Sequence, residues 1–345
     1  MRLQSPARAR GIPLLIGLSI GSVIDWLSPI AGAEERTGVE EAGTAGTAGT
    51  AESGAPAPCP SRIVIPSRSA EVGWRAQLEL GFELRDGRTR LHRRWHRGPL
   101  RVQKPFYPRC PGAGDDFCQV VILHPPGGVV GGDRLAIDVR AGAGSRVLIT
   151  TPGATKFYRT AGPEAVQSVH LRVAPEAVLE WTPQETILFD GSRSRIETRV
   201  QLEAGGRFLG WEITALGRPA AQAPFSTGLC RQTFEIEREG KPLWVDRSEY
   251  RGGGESLEGR WGLAGCAAVG TLVSTGGKES VLAAAREALA AFARDDHRLA
   301  GATRRGELLI LRALAPETRQ IFDLFAGLRE TLLGEPTPAA RIWAT

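Results

Sequence analysis

Between Gln77 and Leu84 apolar and polar positions alternate, with Leu78, Leu80, Phe82 and Leu84 sharing one side. That is the period-2 signature of a half-buried strand, and the Asp86-Gly87 pair after it is a hairpin turn signal. Leu135, Ile137 and Val139 alternate in the same way. Further strands are predicted over 147–150, 166–173, 177–181, 196–202, 207–213, 233–237 and 243–250. Leu216–Ala220 (LGRPA) reads as a loop. A strand and a turn every 8–15 residues fits a sandwich, a barrel or a coiled β-solenoid, and no period is strict enough to name a repeat. Helical spacing comes late. Ser280 is placed to cap a helix through Phe292, with Leu282, Ala285, Leu289 and Phe292 on one face. A strand follows within 306–314. Pro316 suits the first turn of a helix over 317–333, which carries Ile321, Leu324, Phe325, Leu328 and Leu332 and stops at Gly334. Both helical faces are read as core. The expectation is a mainly β chain with a few helices.

The stretch LHPPGGVVGGD (Leu123–Asp133) sits among these strands. Proline fixes φ and glycine opens backbone angles closed to other residues, so the run encodes a shaped corner and not a floppy linker. TTPGATKFYR (Thr150–Arg159) is a second such loop, and PQETILFDG (Pro183–Gly191) ends on an Asp-Gly turn.

Composition changes the picture at the N-terminus. In residues 1–72, Arg2, Arg8 and Arg10 precede an apolar run, Ile12–Ile24, followed by Ala31-Gly32-Ala33, the layout of a signal peptide. An Ala/Gly/Thr/Pro-rich stretch then lacks the apolar bulk to fold. The folded part is expected from Gly73-Trp74 to the C-terminus, as one unit over 73–345. Five cysteines without a CxxC pair do not make a disulfide framework, which fits a reducing compartment.

Net charge is +5, and the cations concentrate in Arg88–Lys104. A solvated strand face explains such a run. The sharper reading is a docking patch for an acidic partner through Arg93, Arg94, Arg97, Arg101 and Lys104. Trp95 alone interleaves with those cations, which disfavours single-strand nucleic-acid binding.

Candidate chemistry is sparse. GGVVGGD lacks the Lys-Ser/Thr of a P-loop, and a phosphate site of that type needs a helix where a strand is predicted. A β-rich enzyme holding a nucleotide or phosphate on the Gly-rich loops remains the alternative function. There is no GxSxG and no carboxylate pair in a glycosidase-like frame. Three acids stand among apolar neighbours: Asp133 at the end of the corner, Glu212 in FLGWEI and Asp246 in PLWVDR. Such a carboxyl must be paired, protonated or hydrated internally. Either they form structural ion pairs, or they line a water-filled passage that a cation can use, with His124 as a further lone donor.

LHPPGGVVGGD, TTPGATKFYR, LEW-x-PQETILFDG, LGRPA and the terminal RIWAT, in this order and with GPLRVQKPFYP upstream, resemble the urease accessory protein family UreD, also called UreH. The resemblance spans about Gly73 to Thr345. Thr182 after LEW, AAQAPF after LGRPA, and Ala340 before RIWAT depart from the usual pattern. The resemblance implies strands wound in a helical coil plus a C-terminal pair of helices. It implies a non-enzymatic, cytoplasmic scaffold with no tightly bound cofactor. Its partners would be apo-urease, the accessory protein UreF and, through UreF, the GTPase UreG, with neither nucleic acid nor membrane among them. Nickel would pass through or along it in transit, and Asp133, Glu212, Asp246 and His124 are the expected lining. With cytoplasmic partners, residues 1–72 are read as an upstream start or an appendage in preference to a working signal peptide.

Overall fold

A computed structural model describes residues 73–108, 117–295 and 297–344, so the expectations for residues 1–72 lie outside the described residues. The chain enters as a hairpin, β1 (Arg75–Arg85) and β2 (Arg88–Arg97), followed by a short β3 (Arg101–Val102). Asp86 and Gly87, both at positive φ, make the tight turn that Asp-Gly predicts.

Coiling begins with β4 (Phe117–Leu123) and β5 (Arg134–Ala141). The second turn is β6 (Arg146–Thr150), β7 (Thr155–Phe157) and β8 (Ala165–Val173). The third is β9 (Val178–Trp181), β10 (Thr186–Leu188) and β11 (Arg193–Leu202). The fourth is β12 (Arg207–Arg218), β13 (Ala223–Pro224) and β14 (Leu229–Arg238), and β15 (Lys241–Arg251) folds back on β14. Each turn places one strand in each of two sheets. β4, β6, β9 and β12 are parallel neighbours in one, and β5, β8, β11 and β14 in the other. This is the coiled arrangement among the three that strand spacing allowed.

Equivalent positions Phe117, Arg146, Val178 and Arg207 stand 29, 32 and 29 residues apart. That spread hides the repeat from a search for a fixed period. After a short helix α1 (Glu255–Glu258), β16 (Ala268–Thr275), β17 (Leu299–Arg305) and β18 (Leu308–Ala315) extend the β12 sheet in antiparallel fashion. Helices α2 (Glu279–Phe292) and α3 (Thr318–Leu333) cover the outer face of that sheet. The run LLIL in β18 is apolar throughout because it is buried on both sides. Leu308 and Ile310 join the core between the sheets, while Leu309 and Leu311 join the core under the helices.

Three local expectations are corrected. LGRPA is not wholly a loop, because Leu216 pairs with Leu188 and β12 continues to Arg218. Ser280 does not cap α2, whose N-cap is Lys278 with no side-chain cap bond; the helix is set by burial of Leu282, Ala285 and Leu289. α3 starts one residue beyond the expected Glu317, which stands extended as its N-cap, so Pro316 lies before the first turn. Strand β17, with no buried residue, has no apolar pattern to announce it.

Candidate functional site

The corners singled out by their prolines and glycines are the same corner on successive turns. Val129, Phe157, Leu188 and Leu216 pair in parallel, one above the next, as a short third wall of the coil. All four are buried. The glycine pairs of GGVVGGD serve this stacking. A Cβ on Gly128 would lie 2.1 Å from the Tyr158 ring, and one on Gly131 would lie 2.1 Å from Thr160 Oγ1 and 2.6 Å from the Pro163 carbonyl. Only bare backbone lets the first corner sit on the second.

Behind this wall lies a cavity of about 250 Å³ that opens to solvent at the corners, where exposed Gly127, Pro152 and Gly153 line it. The corners contribute His124, Lys156 and Gln184, and the strands contribute Thr198, Glu212 and Gln232. Glu212 Oε2 accepts a hydrogen bond from Gln232 Nε2, and Gln232 Oε1 accepts one from Thr214 Oγ1 at 3.3 Å. Glu212 Oε1 is buried and has no partner among the described residues. Burial pushes the Glu212 carboxyl up to about 7; the Thr198 hydroxyl beside it and the Gln232 amide pull against this, and the nearby Asp246 charge adds to the rise. Burial likewise lowers the His124 pKa, against the pull of Asp133, so the imidazole is neutral at pH 7.

The other acids differ. Asp133 Oδ1 accepts from the backbone N–H of Trp74 at 2.7 Å and Oδ2 from that of Val130 at 3.0 Å. It pins the chain entry to the first corner, beside His124, and does not itself line the cavity. Asp246 lines a smaller adjoining cleft with Ser248 and Tyr250, and Glu212 and Gln232 form the boundary between the two spaces. Asp246 pairs with Arg312 at 2.6 Å, an ion pair of the kind isolated acids require. Among the described residues no three His, Cys, Asp or Glu side chains converge as a metal cage. Both Gly-rich loops lead into strands, β5 and β7, which gives a phosphate no helix N-terminus.

The cationic patch lies on and just after β2, at the first-turn end of the coil. Arg93 pairs with Glu79 at 2.5 Å, and Arg101 donates to the Gly98 and Leu100 carbonyls, while Arg94, Arg97 and Lys104 are exposed. The neutral polar lining carries no conspicuous mark in the sequence. The available signal was Gln232, which stands at an inward position between buried Cys230 and Phe234, as Thr198 does between Ile196 and Val200.

Fold and site together define a coiled β scaffold around a polar, partly hydratable interior. A family model described as UreD urease accessory protein matches residues 75–344. The chain is 43% identical over 279 residues to a protein of Brucella anthropi named urease accessory protein UreD 2, covering 79% of this chain and 99% of that one. It is 41% identical over 284 residues to urease accessory protein UreD of Chromohalobacter salexigens, covering 79% and 89%. Against the UreD of Dechloromonas aromatica it is 40% identical over 290 residues, covering 83% and 99%. The chain belongs to the UreD family of urease accessory proteins. Among its described residues no helix is long and apolar enough to cross a membrane.

Proposed function

We propose that this chain is a non-catalytic scaffold of urease maturation that binds apo-urease together with UreF and, through UreF, UreG, and that nickel reaches the urease active site by way of its interior. The observation that carries the reading is the cavity itself, whose wall offers single, separated donors. A borderline cation takes imidazole, carboxylate and water ligands, and transfer needs contacts weak enough to exchange. His124 supplies a neutral imidazole at the corner, with the Asp133 charge beside it, and Glu212 and then Asp246 supply carboxylates further along. Nickel is cargo in this scheme, and nothing on the route holds it tightly. Arg93, Arg94, Arg97, Arg101 and Lys104 form a docking patch for an acidic surface of a partner, steering its approach.

The test is to replace His124, Glu212 and Asp246 singly with Ala and to measure nickel per urease active site in complexes shown to assemble. Reduced nickel at normal assembly is expected. Full loading in all three variants would exclude the interior as the route.

A further inference from the structure

Two carboxylates border the interior, Glu212 at the boundary between its two spaces and Asp246 in the cleft beyond, and each is already occupied by a donor of the protein's own. Glu212 Oε2 takes the Gln232 amide, which is held in turn by Thr214. Asp246 Oδ1 takes the Arg312 guanidinium at 2.6 Å. Gln232 and Glu212 are the two residues that border both the large cavity and the cleft beyond it, so their contact is the partition between these spaces. Arg312 comes from β18, its side chain 41% exposed, so it reaches Asp246 from the open side and can leave it toward solvent. Glu212 Oε1, buried and unpartnered, is free to receive a ligand from the cavity.

We propose that Gln232 and Arg312 are two internal latches: they occupy Glu212 and Asp246 as stand-ins for a divalent cation and keep the second half of the route closed until they swing aside. This rests on the transit reading above and adds to it which contacts must break. The Gln232 amide is the inner latch. Its rotation joins the cavity to the cleft and exposes Glu212 Oε2. Arg312 is the outer latch, and its release leaves Asp246 with a charge for the incoming cation. No bond is made or broken except hydrogen bonds and ion pairs. A neutral amide and a mobile guanidinium suit the task, since both satisfy a carboxylate without the permanence of a buried, fully enclosed pair.

The experiment uses the full chain, Ni²⁺ as the probe, and two readouts. In equilibrium dialysis, Gln232→Ala with Arg312→Met is expected to bind Ni²⁺ at least several-fold more tightly than the unaltered chain. Adding Glu212→Gln and Asp246→Asn should abolish that gain. In maturation complexes, Gln232→Ala should speed nickel loading of apo-urease, and Gln232→Phe, which fills the partition, should slow it. Equal Ni²⁺ affinity with and without the latches overturns the proposal, as does loading that ignores residue 232. A separate chain carrying Gln184→Trp fills the large cavity. If that chain loads urease normally, the transit reading fails and the latches with it. If it blocks loading while the latch variants behave as the unaltered chain, only the latches fail.

Discussion

Glu180 Oε2 and Arg329 Nε lie 2.7 Å apart with side chains 0% and 3% exposed, joining β9 at the centre of the coil to α3. Arg329 also lies over the Trp343 ring, at 4.8 Å, and Trp343 donates through its indole N–H to Thr150 Oγ1 at 3.0 Å. The C-terminal segment is thereby fastened to the strand that leads into the second corner. Burial pushes the Glu180 carboxyl up, while Arg329 draws it down. A pair this deep holds position more than it adds stability.

Breaking this pair from one side should therefore be severe. Glu180→Gln or Arg329→Met is expected to lower stability by about 3–5 kcal/mol, because the remaining charge is left buried without a partner. The double replacement Glu180→Leu with Arg329→Met should recover much of the loss. Urea unfolding of the three variants checks this.

The stacked corners make a second prediction. Gly128→Ala and Gly131→Ala each place a methyl about 2.1 Å from the next corner, and overpacking of this kind costs roughly 1–3 kcal/mol. Gly153→Ala, in the neighbouring loop with nothing within 4 Å of the added methyl and no positive φ, should change stability little. Thermal unfolding separates the two outcomes.

Glu212 gives stability a pH dependence of known sign. Its folded pKa is about 7 against an ordinary 4.5, so between those values the native state holds more protons than the unfolded chain. Its contribution is fully present below about pH 4.5 and is lost as pH rises to 7. Glu212→Gln should thus be nearly neutral in acid and relatively stabilising at pH 8, by an amount on the order of 1–3 kcal/mol. Unfolding free energies of both proteins at pH 5 and pH 8 test the sign.

The strands and the corners were legible because both rest on local rules. Alternation marks Leu78, Leu80 and Phe82, and proline with glycine marks Leu123–Asp133. What these rules do not carry is the stacking of residues far apart in the chain. Val129 over Phe157 over Leu188 is a matter of register, and turn lengths that vary by three residues leave no periodic trace. For the same reason Glu212 and Asp246 could be chosen as isolated acids, while their partners, Gln232 and Arg312, could not. Asp133 was conspicuous through its loop, and its two backbone hydrogen bonds explain why an aspartate ends that loop.

The cationic end can be probed without touching the interior. Arg94→Glu with Arg97→Glu should weaken association with an acidic partner several-fold at low salt, and the difference should shrink as salt screens the charges. Binding of the chain to UreF and to apo-urease at two ionic strengths identifies which of them uses this patch.

If the interior of the coil carries nickel to urease, filling that interior must leave urease without metal. The most direct measurement is the nickel content of urease matured with Gln184→Trp, whose indole fills the cavity behind the third wall, in complexes confirmed to contain every partner. Assembled complexes with urease largely lacking nickel are expected. Urease loaded to the level of the unaltered protein would contradict this route.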